Sequence, residues 1–517
     1  MHLALVSLSA LLTMWALPPD HHAWLIWIAL VPLIGAVDSA HSMRRALVYG
    51  GLFGMLVFGI STSFLITTIQ RLGQFSTLTS TFLIVVIAFV QAGTVWGLFA
   101  ALYWQLRRRS AYPASLLAPI ALVCAEFLIP MLFEWNLGLS QVGGTWIAQV
   151  ADLGGVVAVS FLIAMVNGAL FDLGRALRTQ HALPWRSLAT AVVVLGLATG
   201  YGGLRMAHID QARAQAQKLR IGVVQGNFGP APITRRAELR KLLQRHMAKS
   251  RQLRGRGAEL IVWPEMAFPF VLPRTEPPPT AWTEWLTEKL GVPVLIGAAT
   301  SGEPLDAQRF NSALLFARSG RLAGVYDKHI LVPFMEYTPG VLARFGLRTR
   351  ASEFTAGSQR RLLTLDHYRI GALICIEDMH SAFVRDLAPL RPNLLASLGS
   401  DAQLGAEIAP KLHLAVASFR SIEMRLDMVR ASQNGISAII DANGRVTVQT
   451  RAVEPSEVPG VRAFGLTGTV ALLDGSQSFY ARHGNVFAWL NLLAAAGFLM
   501  LPRGGRWRDK RAGQSAA

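Results

Sequence analysis

Over its first 205 residues the chain is a succession of long apolar stretches joined by short loops. No soluble core absorbs that many. A helix that crosses a bilayer needs about 20 mostly apolar residues. Seven segments fit this length, at about 3–17, 23–38, 45–67, 80–104, 111–132, 150–172 and 187–205, and an eighth lies at about 484–502. The first is short and N-terminal, so a signal sequence competes with a spanning helix there. No basic residues precede it, however, and the charge pattern below requires it as a span.

Hydrophobic residues make up 52% of the chain and charged residues only 15%, yet the formal net charge is +18. A basic balance raises nucleic acid as a partner, but here the cations cluster in loops beside the apolar segments, as membrane topology demands. With the N-terminus in the cytoplasm, the inner loops hold Arg44 and Arg45, then Arg107, Arg108 and Arg109, then Arg175, Arg178 and Arg186. The tail adds Arg503, Arg506, Arg508, Lys510 and Arg511, while the short outer loops hold only Arg71. This asymmetry places residues 206–482 on the outer face, the periplasm of a Gram-negative cell. It gives three parts: a seven-helix transmembrane domain at 1–205, a periplasmic domain at 206–482, and a final transmembrane helix with a basic cytoplasmic tail at 483–517.

The middle part alternates β-rich runs with helical patterns and reads as α/β. Candidate strands are Leu219–Gln225, Leu260–Pro264, Val292–Ala298, Ser312–Ala317, Ala323–Tyr326, Ile370–Ile376, Leu394–Leu398 and Ile436–Asp441. Candidate helices are Arg235–Leu253, Thr280–Leu290 and Glu407–Val429, Asn443-Gly444 reads as a hairpin turn, and Pro273 to Pro279 is a Pro-rich loop.

Three strand ends carry reactive side chains: Glu265 in Val262-Trp-Pro-Glu-Met-Ala267, Lys328 and Glu336 in the segment from Tyr326 to Pro339, and Cys375 with Glu377 in Gly371-Ala-Leu-Ile-Cys-Ile-Glu-Asp378. Each has a bland reading, as a solvated carboxylate, a surface lysine or a small core cysteine. Together they form an acyl-transfer set. A carboxylate takes the thiol proton, a nearby cation lowers the thiol pKa, and the cation with a backbone N–H after the nucleophile stabilises an oxyanion.

In these settings Glu265, Lys328 and Cys375 resemble the catalytic triad of the nitrilase (carbon–nitrogen hydrolase) superfamily. With the helices on either side, the chain is similar to its apolipoprotein N-acyltransferase family. Gly222-Val-Val-Gln-Gly-Asn227, Asn311-Ser312-Ala313, Lys328-His-Ile-Leu-Val-Pro-Phe334, Phe354-Thr-Ala-Gly357, His413, Arg420 with Glu423, and Asn434-Gly-Ile-Ser437 fit that family, as do Glu126, Trp135-Asn-Leu-Gly138 and Asn167 in the helical part. The pattern departs at Met335, at Ile376 after the nucleophile, at Ser400-Asp401-Ala-Gln403, and in lacking a Trp between Phe228 and Arg240.

The resemblance implies an αββα sandwich beside about eight helices, in the bacterial inner membrane. It implies a ping-pong reaction on a phospholipid, phosphatidylethanolamine by preference, in which Cys375 takes an acyl chain as a thioester and passes it to the α-amine of a diacylated apolipoprotein. Glu265 is then the base, Lys328 and the Ile376 N–H the oxyanion donors, and Glu336 and Glu377 supporting groups. Trp135, Asn136, Met335 and Gln403 are the candidate substrate contacts. A monomer without metal or cofactor is expected, since no HExxH, CxxC or phosphate loop occurs. His413 reads as structural, the Arg420, Glu423 and Arg425 face as ion-paired or solvated, and Glu377 equally well as a plain helix-start carboxylate. The same triad also serves a membrane-tethered amidase that delivers the acyl group to water, and the altered flanking positions suit a scaffold without activity. A transporter is a weaker alternative, because intramembrane charge is sparse.

The orientation is testable with alkaline phosphatase, which is active only outside the cytoplasm. Fusion after Ala216 is expected to be active and fusion at His181 inactive; the reverse pattern would overturn the assignment.

Overall fold

The computed structural model describes residues 1–17, 22–73, 75–143, 145–228, 236–273, 290–302, 308–333, 335–338, 340, 344, 354–401, 404, 408–453, 463–474 and 477–501. The chain divides into two compact units. The first comprises Met1–Ser63, Leu78–Arg205 and the chain from His483; the second comprises Phe64–Thr77 and Met206–Arg482.

The first unit is helical. Among the described residues, four helices are long and apolar enough to cross a membrane: Met43–Ser61, Thr77–Arg109, Val156–Thr179 and Trp185–Gln215, the last continuing into the second unit. Four shorter apolar helices, His2–Ala16, Ala23–Asp38, Ala114–Leu128 and Val486–Met500, occupy the other expected positions. Two buried polar side chains of this unit are tied to backbone, as suits a water-poor interior. Asn167 accepts from the N–H of Leu30 (2.8 Å) and donates to the carbonyls of Ile26 and Ile163, which mends the break ahead of Pro32. Glu126 accepts from the N–H of Leu137 at 2.8 Å and so fixes the start of the 137–141 turn.

The second unit holds two sheets. Its strands are β1 (Gln217–Gln225), β2 (Leu260–Val262), β3 (Phe268–Pro273), β4 (Val294–Ser301), β5 (Arg309–Phe316), β6 (Leu322–Asp327), β7 (Leu363–Leu365), β8 (Tyr368–Ile374), β9 (Leu394–Gly399), β10 (Met428–Ser432), β11 (Ala438–Ile440), β12 (Val446–Gln449) and β13 (Phe464–Leu472). The first sheet runs β13-β1-β2-β4-β5-β6 with β3 beside β4, and the second β12-β11-β10-β9-β8-β7.

Alternation along the strands sorts side chains to two faces. Leu219, Ile221 and Val223 of β1 share one core with Ile370, Ala372 and Ile374 of β8 and with Leu394, Ala396 and Leu398 of β9, so this layer lies between the sheets. Val224 and Ile261 face the other way, onto Leu243, Met247 and Leu253 of helix Arg236–Gly255. Leu373 and Leu395 face outward onto Leu414 and Ala417 of helix Ala409–Met424. The result is an αββα sandwich.

All eight expected strands are present, within about two residues at most ends. The expected helix over Glu407–Val429 is shorter: it stops at Met424, Arg425 takes a left-handed φ of 53°, and Met428–Ser432 becomes β10, paired parallel to β9. The strand burial available to Met428 and Val429 outweighs continued helix. Strands β3, β7, β12 and β13 were not foreseen; Gly465 and Gly468 break the apolar alternation of β13. The expected helix Thr280–Leu290 lies outside the described residues apart from its last position, as do the tail cations.

One close approach fixes where β2 delivers its chain. A Cβ on Gly297 of β4 would overlap the carbonyl oxygen of Pro264 and stand 2.6 Å from the Cα of Glu265. Gly297→Val is expected to destabilise the second unit by about 2 kcal/mol, the scale of an overpacked core, read as a lower melting temperature, and to displace Glu265. An unchanged melting temperature would contradict the packing described.

Candidate active site

Three chain reversals put the reactive side chains at the ends of their strands. Asn227, Met266 and Cys375, which follow β1, β2 and β8, have left-handed φ values of 55°, 51° and 55°. Such backbone is unfavourable without glycine and persists where surrounding structure holds it, often at functional sites. β8 ends at Ile374, so Cys375 is the first residue of a tight turn, Cys375–Met379, rather than the last of a strand. Both cysteines are free; Cys124 is buried in its helix and Cys375 is partly exposed.

Near Cys375 stands a buried cation between two carboxylates. The Lys328 ammonium lies 3.1 Å from Glu265 Oε1 and 2.9 Å from Glu336 Oε2. Asn311 of β5 completes the set: its amide donates to Glu265 Oε1 at 2.7 Å and to Glu336 Oε1 at 2.9 Å. The N–H of Val332 donates to Glu336 Oε2 at 2.8 Å, and the N–H of Lys328 donates to the carbonyl of Asn311 at 2.8 Å. Lys328 is 1% exposed. Burial alone pulls its pKa down, but Glu265, Cys375 and Glu336 overcome this and hold it above the usual lysine range, so it stays cationic.

The thiol behaves otherwise than the sequence reading expects. Burial pushes its pKa up, Glu265, Glu336 and Asp401 add to that against the pull of Lys328, and the net shift is well upward. The thiol therefore rests protonated, and the Glu265 carboxylate of the same cluster is a group of the kind that can take up such a proton.

Glu377 stands in the first turn of Cys375–Met379, as a helix-start carboxylate would, but it is fully buried. Its Oε1 accepts from the N–H groups of His329 (2.6 Å) and Ile330 (3.3 Å), and its Oε2 from the N–H of Ile374 (2.7 Å) and the hydroxyl of Tyr326 (2.8 Å). Burial pushes its pKa up to about 7, against the pull of these donors and of Lys328. One side chain thus binds the segment after Lys328 to the strand before Cys375.

The structure brings Glu265, Lys328, Glu336, Cys375 and Glu377 together. Ile376, whose N–H was expected to face an oxyanion, is buried beside them, and Met335 is partly buried next to Glu336. Trp135 and Asn136 belong to the first unit, and Gln403 lies outside the described residues. Asn311 and Tyr326 were missed as site residues; the only signals were an Asn-Ser pair in an apolar strand and a Tyr directly before Asp327-Lys328. Arg420 and Glu423 form a buried pair at 3.1 Å and Arg425 is buried too, so that face is not solvated. No group of three or more metal-ligating side chains occurs among the described residues.

Two sequence-family models match the chain. One, described as the apolipoprotein N-acyltransferase N-terminal domain, covers residues 9–169, and the other, carbon-nitrogen hydrolase, covers 220–457 and so includes every residue of the cluster. The apolipoprotein N-acyltransferase of Azotobacter vinelandii is 32% identical over an alignment 477 residues long that covers 84% of this chain and 86% of that protein. Its counterpart in Geobacter metallireducens is 29% identical over an alignment 515 residues long that covers 95% of this chain and 93% of that one. Among solved structures, a carbon-nitrogen hydrolase from Helicobacter pylori G27 aligns over 52% of this chain and 95% of its own, with 15% identity and a TM-score of 0.38.

Asn311 offers a direct test of the cluster. Asn311→Asp replaces a shared donor with a third carboxylate facing Glu265 and Glu336. Acylation of Cys375 is expected to fall by about 100-fold, the lower range for loss of a positioned acid or base, with little change in folding. Wild-type acylation in the variant would remove Asn311 from the site.

Proposed function

The chain belongs to the apolipoprotein N-acyltransferase family, and on that premise we propose that Cys375 carries an acyl chain from a membrane phospholipid to the α-amine of a diacylated lipoprotein. The observation that carries this reading is the buried Glu265–Lys328–Glu336 set held beside a thiol at a strained turn. Glu265 takes the thiol proton as sulfur attacks the ester carbonyl. The Lys328 ammonium and the Ile376 N–H hold the oxyanion. Collapse breaks the carbon–oxygen bond, the lysophospholipid alkoxide takes the proton from Glu265, and a thioester remains. The lipoprotein amine then attacks the thioester carbonyl, giving a proton to Glu265. Carbon–sulfur cleavage releases the amide, and the proton returns to sulfur.

Glu336 orients Lys328 in both halves of this cycle, and Glu377 sets the distance between Lys328 and Cys375. Trp135, Asn136, Met335 and Gln403 contact the acyl donor or acceptor. The protein is a membrane protein; residues 206–482 work on the periplasmic side of the inner membrane, phosphatidylethanolamine is the donor, and the monomer is the working form. Both substrates are anchored in that membrane, which favours a site that meets them without extracting them.

The full-length protein in mixed micelles with phosphatidylethanolamine is expected to gain the mass of one acyl chain on the Cys375 peptide and to lose it when a diacylglyceryl-cysteine peptide is added. Cys375→Ser is expected to show no adduct. Lysophospholipid release without acylation of the lipopeptide would replace the transferase with a hydrolase.

A further inference from the structure

Behind the nucleophile turn lies a second buried charged cluster, which the proposed reaction does not use. Asp378, three residues after Cys375, has one oxygen 2.7 Å from His413 Nε2 and the other 2.9 Å from Arg430 Nη1. Asp401, just after β9, has one oxygen 3.0 Å from His413 Nδ1 and the other 3.2 Å from Arg430 Nη2. The four side chains close a ring in which each acid touches both bases. Ser397 donates to Asp378 at 2.6 Å and Ser432 to Asp401 at 3.0 Å. The acids and Arg430 are 0–2% exposed and His413 is 5% exposed.

The protonation of His413 follows from geometry. A carboxylate only accepts, and each ring nitrogen faces one, so both nitrogens carry hydrogen. The charged groups that face His413 are Asp378 from the turn, Asp401 from the segment after β9 and Arg430 from β10, while Arg420 and Glu423 of its own helix pair with each other. Burial and Arg430 push the imidazole down, but the two aspartates outweigh them and lift it to about 9. The ring then holds two positive and two negative charges and is neutral. A neutral His413 would leave one uncompensated negative charge in a dry site, where charges act over longer range than in water. Asp401 already acts on the Cys375 thiol, raising its pKa.

We infer that His413 is a positioning residue for the reaction: as an imidazolium it keeps the ring neutral, so that the turn bearing Cys375 stays in place and sulfur can carry negative charge during attack. This rests on Cys375 being the nucleophile of the proposed function, but its test needs no acyl substrate. The rate of Cys375 carbamidomethylation by iodoacetamide is followed from pH 6 to pH 10 on the full-length protein, by mass spectrometry of the Cys375 peptide, which separates it from Cys124.

His413→Gln leaves the ring one charge negative. Its Cys375 is expected to react about tenfold more slowly at pH 7.5, equivalent to displacing the thiol pKa upward by about one. Adding Asp378→Asn restores neutrality and is expected to bring the rate back to within about threefold. Asp378→Asn alone removes a negative charge and is expected to speed the reaction, which keeps the test open if His413→Gln folds poorly. A His413→Gln profile that matches wild type, a double variant as slow as the single one, or no acceleration in Asp378→Asn would each overturn the inference. Wild-type acyl transfer to a lipopeptide, run alongside, reports separately on the transferase reading.

Discussion

The arrangement of the cluster depends on one buried carboxylate. Glu377 accepts four hydrogen bonds, two from the segment after Lys328, one from Tyr326 of the first sheet and one from Ile374 of the second. Lys328 follows the edge strand of one sheet and Cys375 follows a strand of the other. The sandwich core that joins the sheets is made of aliphatic contacts, which are strong in sum but non-directional. They hold two layers together without fixing one backbone against another to a few tenths of an ångström. Four directed hydrogen bonds to a single buried group do that. Losing such an acceptor leaves buried donors unsatisfied, at about 1–3 kcal/mol each.

The two buried charge clusters answer different needs. At Lys328 the count is one cation against two carboxylates, so a thiolate added to the resting site would be poorly tolerated. The ring behind the turn is balanced, each acid lying against both bases, so none of its buried charges is left without an opposite partner.

Much of this was legible in the sequence. The expected strands Leu260–Pro264, Ala323–Tyr326 and Ile370–Ile376 stand out because Glu265, Lys328 and Cys375 lie at or just past their ends, and a reactive group at the end of a buried strand is a local pattern. Asn311 and Tyr326 were not legible as site residues, because nothing near them in the chain announces a carboxylate 46 or 51 residues away. His413 lies in a helix whose neighbours are Leu412 and Leu414 and reads as a core residue; its two aspartates come from separate segments. Helix Glu407–Val429 was overextended for a related reason, since a strand buried on both faces has the same composition as an apolar helix. Long-range polar pairing was the information that local pattern could not supply.

The pairing of the first and last strands of the sandwich bears on the history of such a chain. β1 and β13 run antiparallel side by side, with Gln217 opposite Leu472. The sandwich therefore begins and ends at neighbouring points on one edge. A domain whose ends meet in this way can be spliced into a loop of another protein without stretching its host. Splicing of this kind would let a hydrolase sandwich be acquired whole by an existing bundle of apolar helices. Helix sequence and sandwich sequence could then drift at different rates, tied together mainly by the segments that both must accommodate.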